Sequence, residues 1–231
     1  MSLPHVFRLI VFDYDGTLVD SQRVILAAMT QAFAEHGLPA QAPEAVRRTV
    51  GLKLETAIAR LLPDPADGDL AGRVAASYRH AFFQIRERPD YDEPLFPGVA
   101  EGLRRLEAPN VCLGIATGKS RRGLLAGLKR HGLHRQFVTL QTADDGPAKP
   151  HPESLFRAMA DVGARPAETV VVGDTTFDME MAGNAKATAI GVAWGYHAPA
   201  ELRASGAARI VERFADLPEA LAGVGEARAC G

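Results

Sequence analysis

The most constraining feature of this chain is a short apolar run that ends in two acidic residues. Leu9–Phe12 is four apolar residues long and leads directly into Asp13 and Asp15. A short apolar run stopped by turn residues is typical of a strand buried on both faces of a parallel sheet. In open α/β sheets, ligands bind at the carboxyl ends of the strands, where these two acids would lie. The pattern therefore predicts a functional site there, although Asp and Gly also occur in ordinary turns.

The second half of the chain alternates between strand-like and helix-like segments, which predicts a doubly wound parallel sheet of the α/β class. The predicted strands are residues 111–116, 137–141, 169–173, 187–192 and 209–211, and the predicted helices are 121–131, 152–162 and 176–185.

The segment between the first two strands has a helical pattern and no strand pattern. Apolar residues at helical spacing predict helices over 22–37, 45–62, 71–88 and 99–106. We therefore expect an α-helical cap domain, residues 19–94, inserted into a Rossmann-like core domain formed by residues 1–18 and 95–231.

Composition excludes several other functions. A net charge of -2, with 23% charged residues and no long charge block, gives no sign of a nucleic-acid or membrane partner. Arg8 interrupts the N-terminal apolar pattern of a signal peptide, and two cysteines do not suggest a disulfide framework. We expect a cytoplasmic protein that is a monomer or a homodimer.

Two further stretches place phosphate-binding chemistry at strand ends. Thr117 and Gly118 follow the second strand, where a hydroxyl and close backbone amides suit a phosphate, although Thr117 also suits a helix N-cap. Lys149 is followed by Pro150 and can neutralise the charge of a carboxylate and of a transferred phosphoryl group. An exposed surface lysine is the alternative for Lys149.

Two more acids follow the strand that begins at Thr169. Asp174 and Asp178 are four residues apart, and with Asp13 and Asp15 they would form a patch of mutually repelling carboxylates. Mg²⁺ prefers such oxygen ligands and commonly takes one or two carboxylates. A helix cap explains either later acid singly, but the set of four predicts a Mg²⁺ site.

These motifs, in this order, resemble those of the haloacid dehalogenase superfamily, and the resemblance covers the whole chain. The matching stretches are residues 13–21 (Asp-Tyr-Asp-Gly-Thr-Leu-Val-Asp-Ser), Thr117, Lys149-Pro150 and residues 174–178. The chain departs from the superfamily pattern at Lys186, where a glycine is usual.

The resemblance implies a phosphatase and assigns roles to these residues. Asp13 would attack phosphorus, and Asp15 would protonate the leaving oxygen and later activate water. Thr117 and Lys149 would hold the phosphoryl group. Asp13, Asp174, the Asp15 backbone carbonyl and Asp178, directly or through water, would hold Mg²⁺, while Gly16, Thr17 and Gly118 would contact the substrate.

The substrate is expected to be a small phosphorylated metabolite. The chain is similar to the phosphoglycolate phosphatase branch, which favours phosphoglycolate, while pyrophosphate, hexose phosphates and phosphomutase activity stay open. Lys53, in a glycine-bearing loop of residues 51–54, either reads an acidic group of the substrate or is an exposed lysine. Two other classes, a haloacid dehalogenase and a non-enzymatic receiver-like phospho-acceptor, fit less well because neither needs an acid at Asp15.

Overall fold

The computed structural model describes residues 7–229, with side chains described through residue 225. It contains one six-stranded parallel sheet in the order β3-β2-β1-β4-β5-β6 with helices on both faces. The strands are β1 (Leu9–Phe12), β2 (Cys112–Ala116), β3 (Phe137–Gln141), β4 (Thr169–Gly173), β5 (Thr188–Val192) and β6 (Arg209–Val211). The helices are α1 (Gln22–Glu35), α2 (Pro43–Arg47), α3 (Leu54–Leu61), α4 (Gly68–Arg86), α5 (Val99–Leu106), α6 (Arg121–Arg130), α7 (Glu153–Val162), α8 (Thr176–Asn184), α9 (Pro199–Ala204) and α10 (Leu217–Ala229).

Strand β1 lies at the centre of the sheet, and both of its faces are buried. Leu9 and Val11 pack into one apolar cluster with α7 and α8, while Ile10 and Phe12 pack into the other with α5, α6 and α10. Successive side chains of a strand point to opposite faces, so a continuous apolar run is what two covered faces require. The expected strand at 9–12 and the doubly wound α/β sheet are confirmed.

The chain reverses its direction of travel across the sheet at β1. It adds β2 and β3 on one side of β1, then crosses over to add β4, β5 and β6 on the other side. The Asp13 amide donates to the Val172 carbonyl at 3.0 Å, so the ends of β1 and β4 lie side by side. Such a switch point leaves a crevice at the carboxyl edge of the sheet.

Helices α1–α4, which we call the helical insertion, lie between β1 and α5. Two apolar clusters are built from residues 24–91 alone. The chain enters and leaves the insertion along paired segments: Asp20 donates its amide to the Pro94 carbonyl at 2.8 Å, and Phe96 donates to Leu18 at 3.0 Å. The chain therefore enters and leaves the insertion at the same place on the sheet.

The helix expected over 45–62 is wrong, because the structure divides it into α2 and α3. Gly51 has a left-handed φ of 95°, and Lys53 is extended before α3 begins, so residues 48–53 form a turn. The start expected at residue 71 is also wrong: the Asp67 carboxylate accepts from the Leu70 amide at 2.8 Å and caps α4 at Gly68. Helices α9 and α10 were not predicted.

One of the two cysteines lies within the described residues. Cys112 is a half-buried free thiol, and Cys230 lies outside the described residues. Among the helices within residues 7–229, none has both the length and the apolar character needed to cross a bilayer.

Lys186 provides a test of backbone strain in this fold. It follows α8 with a φ of 58°, and at the end of α7 the equivalent left-handed position is occupied by Gly163, with a φ of 66°. A left-handed conformation costs a residue with a Cβ roughly 1–2 kcal/mol, partly offset by the greater freedom of glycine in the unfolded chain. We expect Lys186→Gly to raise the free energy of unfolding by about 0.5–1 kcal/mol, measured by urea denaturation.

Gly163→Ala is the matched control, because it introduces the strain that Lys186→Gly removes. It should lower the urea midpoint by a comparable amount. A lower midpoint for Lys186→Gly would show that the lysine makes a contact that outweighs its backbone strain.

Candidate active site

The Asp13 side chain lies at the end of β1 and is buried. Its Oδ1 accepts a hydrogen bond from the Tyr14 amide at 2.6 Å. Its Oδ2 lies 3.0 Å from Lys149 Nζ, an ion-pair contact without hydrogen-bond alignment, and no other described residue donates to this oxygen. Asp13 therefore presents one carboxylate oxygen whose lone pairs are not committed to a hydrogen bond.

Lys149 lies in the loop before α7, and its ammonium group is held between two acids. Nζ donates to Asp178 Oδ1 at 2.6 Å and lies 3.0 Å from Asp13 Oδ2. Burial opposes the charge on Lys149, but the two carboxylates outweigh it and raise the pKa of Lys149 above its usual range. The exposed-lysine alternative is wrong, because only 3% of this side chain is exposed.

Asp174 and Asp178 come from β4 and α8, and each makes structural contacts as well. Asp174 Oδ1 accepts from the Thr17 hydroxyl at 2.7 Å, and its Oδ2 accepts from the Tyr196 amide at 2.9 Å. Asp178 Oδ2 accepts from the Thr175 hydroxyl at 2.7 Å and from the Thr175 amide at 3.0 Å. Asp178 thus caps α8 while it holds Lys149.

Three of the four predicted metal ligands bring their carboxylates together. One oxygen from each of Asp13, Asp174 and Asp178 lies within 4.8 Å of the others, and all three residues are buried. Burial, aided by the charge of Asp178, raises the pKa of Asp13 to about 7, although Lys149 opposes the rise. Burial and the charges of the other two acids raise the pKa of Asp174 well above its usual range. Such a cluster, with a free Asp13 oxygen, suits a hard divalent cation.

The Asp15 carboxylate points away from this cluster to a second lysine. Lys119 Nζ donates to both Asp15 oxygens, at 2.9 and 3.2 Å, and to Glu93 Oε1 at 3.4 Å. Glu93 is buried and accepts from the Tyr91 hydroxyl at 2.7 Å. The Lys119 ammonium also lies 4.9 Å from the centre of the Phe82 ring of α4. Asp15 is therefore held by a network that joins the sheet to the helical insertion.

Thr117 and Gly118 lie where β2 ends. Thr117 is buried, and its hydroxyl accepts from the Lys119 amide at 3.3 Å. The N-cap alternative for Thr117 is wrong, because α6 begins later and Ser120 caps it by accepting from the Gly123 amide. At Gly118, a Cβ would lie 2.5 Å from the Leu52 carbonyl oxygen. The absence of a side chain at Gly118 therefore lets the turn before α3 reach the edge of the sheet.

Gly16 and Thr17 lie against Asp174. Gly16 has a φ of 88°, and a Cβ there would collide with the Asp174 carboxylate and the Tyr196 ring. Thr17 is fully buried and donates to the same carboxylate. Their contacts orient Asp174, and neither residue lines the cavity described next.

A cavity of about 800 Å³ opens between the sheet edge and the helical insertion. Asp13, Asp15, Thr117 and Gly118 form its floor on the sheet side. Lys53 lies on its wall and is exposed, immediately before α3. The structure thus brings the predicted catalytic acids, Thr117 and Lys53 to one cavity, with Lys149, Asp174 and Asp178 packed behind Asp13.

Comparison with known proteins identifies the family to which this chain belongs. Residues 10–192 match the sequence profile described as haloacid dehalogenase-like hydrolase. The chain is a member of this hydrolase family. The hydrolase is 38% identical over 212 residues to the protein named Probable phosphatase IndB from Dickeya dadantii, covering 90% of this chain and 91% of the relative. It is 34% identical over 223 residues to a phosphoglycolate phosphatase from Chromobacterium violaceum, covering 94% and 97%.

The fold of the hydrolase is also similar to solved structures. A hydrolase from Pseudomonas syringae superposes with a TM-score of 0.81 at 28% sequence identity, covering 93% of this chain and 98% of that one.

Sequence reasoning missed two residues of the hydrolase site, Lys119 and Glu93. Lys119 directly follows Thr117 and Gly118, so its place beside the second strand was a usable signal. The sequence around Glu93 gave no such signal. Its contact with Lys119 spans 26 residues and depends on the path by which the chain returns from the insertion to the sheet.

Lys119→Met tests how strongly this network holds the hydrolase together. The change leaves Asp15 and Glu93 as neighbouring, largely buried carboxylates without a cation. Removing one member of a buried charge network is strongly destabilising, so we expect a loss of about 3 kcal/mol in urea denaturation at pH 7.

Lys129→Met is the matched control, since Lys129 is an exposed lysine of the same helix region, and it should change stability by less than about 0.5 kcal/mol. Adding Glu93→Gln to Lys119→Met should recover part of the loss. Equal stabilities of the two single variants would show that Lys119 is not a structural cation.

Proposed function

We propose that this hydrolase is a Mg²⁺-dependent phosphatase that forms a phosphoryl-aspartate on Asp13. The observation that carries the proposal is the carboxylate of Asp13, a residue of the cavity floor, whose buried Oδ2 lies beside the Lys149 ammonium without a directed hydrogen bond. A nucleophile needs such an available lone pair, and the adjacent cation favours the ionised form of Asp13 against the opposing effect of burial.

In the first step, Asp13 Oδ2 attacks phosphorus while the bond from phosphorus to the leaving oxygen breaks. Lys149 offsets negative charge on Asp13 and on the transferred group, and the Thr117 hydroxyl is placed to bind a phosphoryl oxygen. Asp15 donates a proton to the leaving oxygen, so an alcohol departs.

In the second step, Asp15 accepts a proton from water, and the resulting nucleophile attacks phosphorus. The bond to Asp13 breaks, inorganic phosphate leaves, and Asp13 and Asp15 return to their starting states. Because Asp15 lies on the cavity floor, the same side chain can donate a proton to the leaving oxygen and later accept one from water.

Asp13, Asp174 and the Asp15 backbone carbonyl would hold Mg²⁺, with Asp178 supporting it. The donor set fits, because these carboxylates are buried within 4.8 Å of one another and Lys149 is the one cation in contact with them among the described side chains. Bound Mg²⁺ would supply positive charge to the attacking carboxylate and the phosphoryl oxygens.

We further propose that residues 19–94 form the cap domain, and residues 1–18 and 95–231 the core domain. The paired segments around Val19 and Leu95 support these boundaries. The names of the relatives support a small phosphomonoester such as phosphoglycolate as the first substrate to test, with pyrophosphate as the alternative. Lys53 lies on the cavity wall, and this position supports a role in binding an acidic group of the leaving part.

Asp13→Asn tests the nucleophile. We expect kcat for 4-nitrophenyl phosphate to fall by about 10³-fold or more, because an amide cannot form the phosphoryl-enzyme. The variant should stay folded in EDTA, since relief of carboxylate repulsion offsets the loss of a polar contact. Mg²⁺ should raise the melting temperature of the wild-type protein and much less that of the variant.

Two results would contradict the proposal. One is residual activity of Asp13→Asn above about a hundredth of wild type, and the other is full wild-type activity in EDTA. A fall in activity with an intact fold and a lost Mg²⁺ response would assign both the nucleophile and the metal to the same carboxylate.

Asp15→Asn separates the two half-reactions. With 4-nitrophenyl phosphate the leaving group needs little protonation, so the first step should be impaired less than the second, which loses its base. Stopped-flow absorbance should show a burst of about one equivalent of 4-nitrophenolate followed by turnover slowed roughly 10²- to 10⁴-fold. Acid-quenched protein should carry phosphate on Asp13.

Mg²⁺ affinity of the Asp15→Asn variant is the control, because the Asp15 carbonyl is a proposed ligand. With that affinity unchanged, a first step faster than turnover but no trapped phosphate would exclude Asp15 as the base that activates water.

A further inference from the structure

The walls of the cavity are unlike its floor. The floor holds carboxylates and a threonine, while the walls supplied by the helical insertion combine apolar side chains with six polar or charged ones, Thr49, Lys53, Glu55, Arg79, His80 and Arg86. The apolar wall residues include Ile25, Met29, Val46, Leu54, Ala57 and Phe82, which come from or adjoin all four helices of the insertion.

The size of the cavity also exceeds what a two-carbon leaving group needs. Its volume of about 800 Å³ lies in the upper part of the roughly 300–1,000 Å³ range of sites that enclose drug-sized ligands. Glycolate would leave the half-buried part of the apolar wall, which includes Leu54, Tyr78 and Phe82, in contact with water. A leaving group with an apolar body would instead remove that wall from water, which is favourable in proportion to the area buried.

Two aromatic rings give the wall a defined shape. Tyr78 and Phe82 lie on one face of α4, with ring centroids 5.8 Å apart, and both line the cavity. Both side chains are half-buried, and their rings are inclined to each other by 35°. This wall therefore offers an aromatic surface that a ring-bearing ligand can contact.

Several cations of the lining are committed to other contacts. Lys119 is paired with Asp15, and Arg79 with Glu55. Arg122 lies 5.2 Å from the centre of the Phe83 ring, and Arg86 lies 5.9 Å from that of Tyr91. The half-buried apolar side chains of the lining remain as a contact surface beside these cations.

We propose that this hydrolase acts on phosphomonoesters whose leaving group is an alcohol with a ring-sized apolar body, in preference to phosphoglycolate. The inference rests on the proposed phosphatase function and names the substrate class of that same site. The phosphoryl group would lie at Asp13, and the apolar body would contact the Tyr78 and Phe82 rings.

The first experiment compares alkyl phosphates that all release an alcohol. We expect kcat/KM with Mg²⁺ to be about 10- to 100-fold higher for benzyl phosphate than for ethyl phosphate or phosphoglycolate, as expected for burying a ring in an apolar pocket. Equal values, or a preference for phosphoglycolate, would overturn the inference.

The second experiment fills the cavity from its wall. Leu54→Trp should lower kcat/KM for benzyl phosphate about 10-fold or more and change that for ethyl phosphate less than about twofold. Thr56→Trp is the matched control, because Thr56 is an exposed residue of the same helix outside the cavity, and it should change neither value. Val50→Trp adds bulk from the preceding turn and serves if Leu54→Trp does not fold. Equal losses with both substrates in the folded variant would overturn the inference.

A binding measurement separates this inference from the proposed function. Benzylphosphonate and ethylphosphonate have carbon–phosphorus bonds that a phosphatase does not hydrolyse, so calorimetric titration of the Mg²⁺-bound protein reports recognition alone. Tighter binding of benzylphosphonate by about 10-fold or more, without hydrolysis of any ester, would support recognition of the apolar body and overturn the phosphatase proposal. Equal or weaker binding would overturn the inference, whatever the turnover.

Discussion

The buried ammonium group of Lys149 is the interaction on which the site depends. It lies 2.6 Å from Asp178 and 3.0 Å from Asp13, and without it three carboxylates would face one another away from water. One lysine cannot neutralise three acids, and the raised pKa values of Asp13 and Asp174 result first from burial and then from the remaining repulsion. The fold thus holds an arrangement that is unfavourable alone and suited to a further cation, as functional sites often are.

The topology of the sheet explains how such an arrangement can be held. Asp13 follows β1 and Asp174 follows β4, and these neighbouring strands share a register fixed by parallel pairing. Asp178 lies in the first turn of α8, where it caps the helix through Thr175. Each acid is fixed by a backbone element whose apolar residues pack into the core. The stability of the core therefore offsets the cost of crowding the charges.

The sheet and most of the site could be predicted, because their signals are local. The apolar runs, the acids that follow them and the lysine before a proline are all visible in the sequence within a few residues of each other. The break of α2 from α3 was missed because the apolar spacing continues across Gly51 and hides the turn. Helices α9 and α10 were missed because Ala-rich, weakly patterned segments give little periodic signal.

The contacts that were not predicted join residues far apart in sequence. Lys119 reaches Glu93 and Phe82, and Gly118 accommodates the Leu52 carbonyl, so each depends on where the helical insertion lies against the sheet. No local pattern encodes that position. It results from the packing of two apolar clusters and from the paired segments that connect them to the core.

The part of the site around Asp13 and the part around Asp15 are therefore held by different elements of the fold. Asp13, Lys149 and Asp178 are fixed by β1, the loop before α7, and α8, all of which belong to the sheet and its covering helices. Asp15 is held through Lys119 by residues that belong to the insertion or to its return segment. A shift of the insertion would therefore alter the surroundings of Asp15, the proposed proton donor, while leaving those of Asp13, the proposed nucleophile, unchanged. Because the cavity walls lie on the same insertion, the proposed function would link recognition of the leaving group to the position of its proton donor.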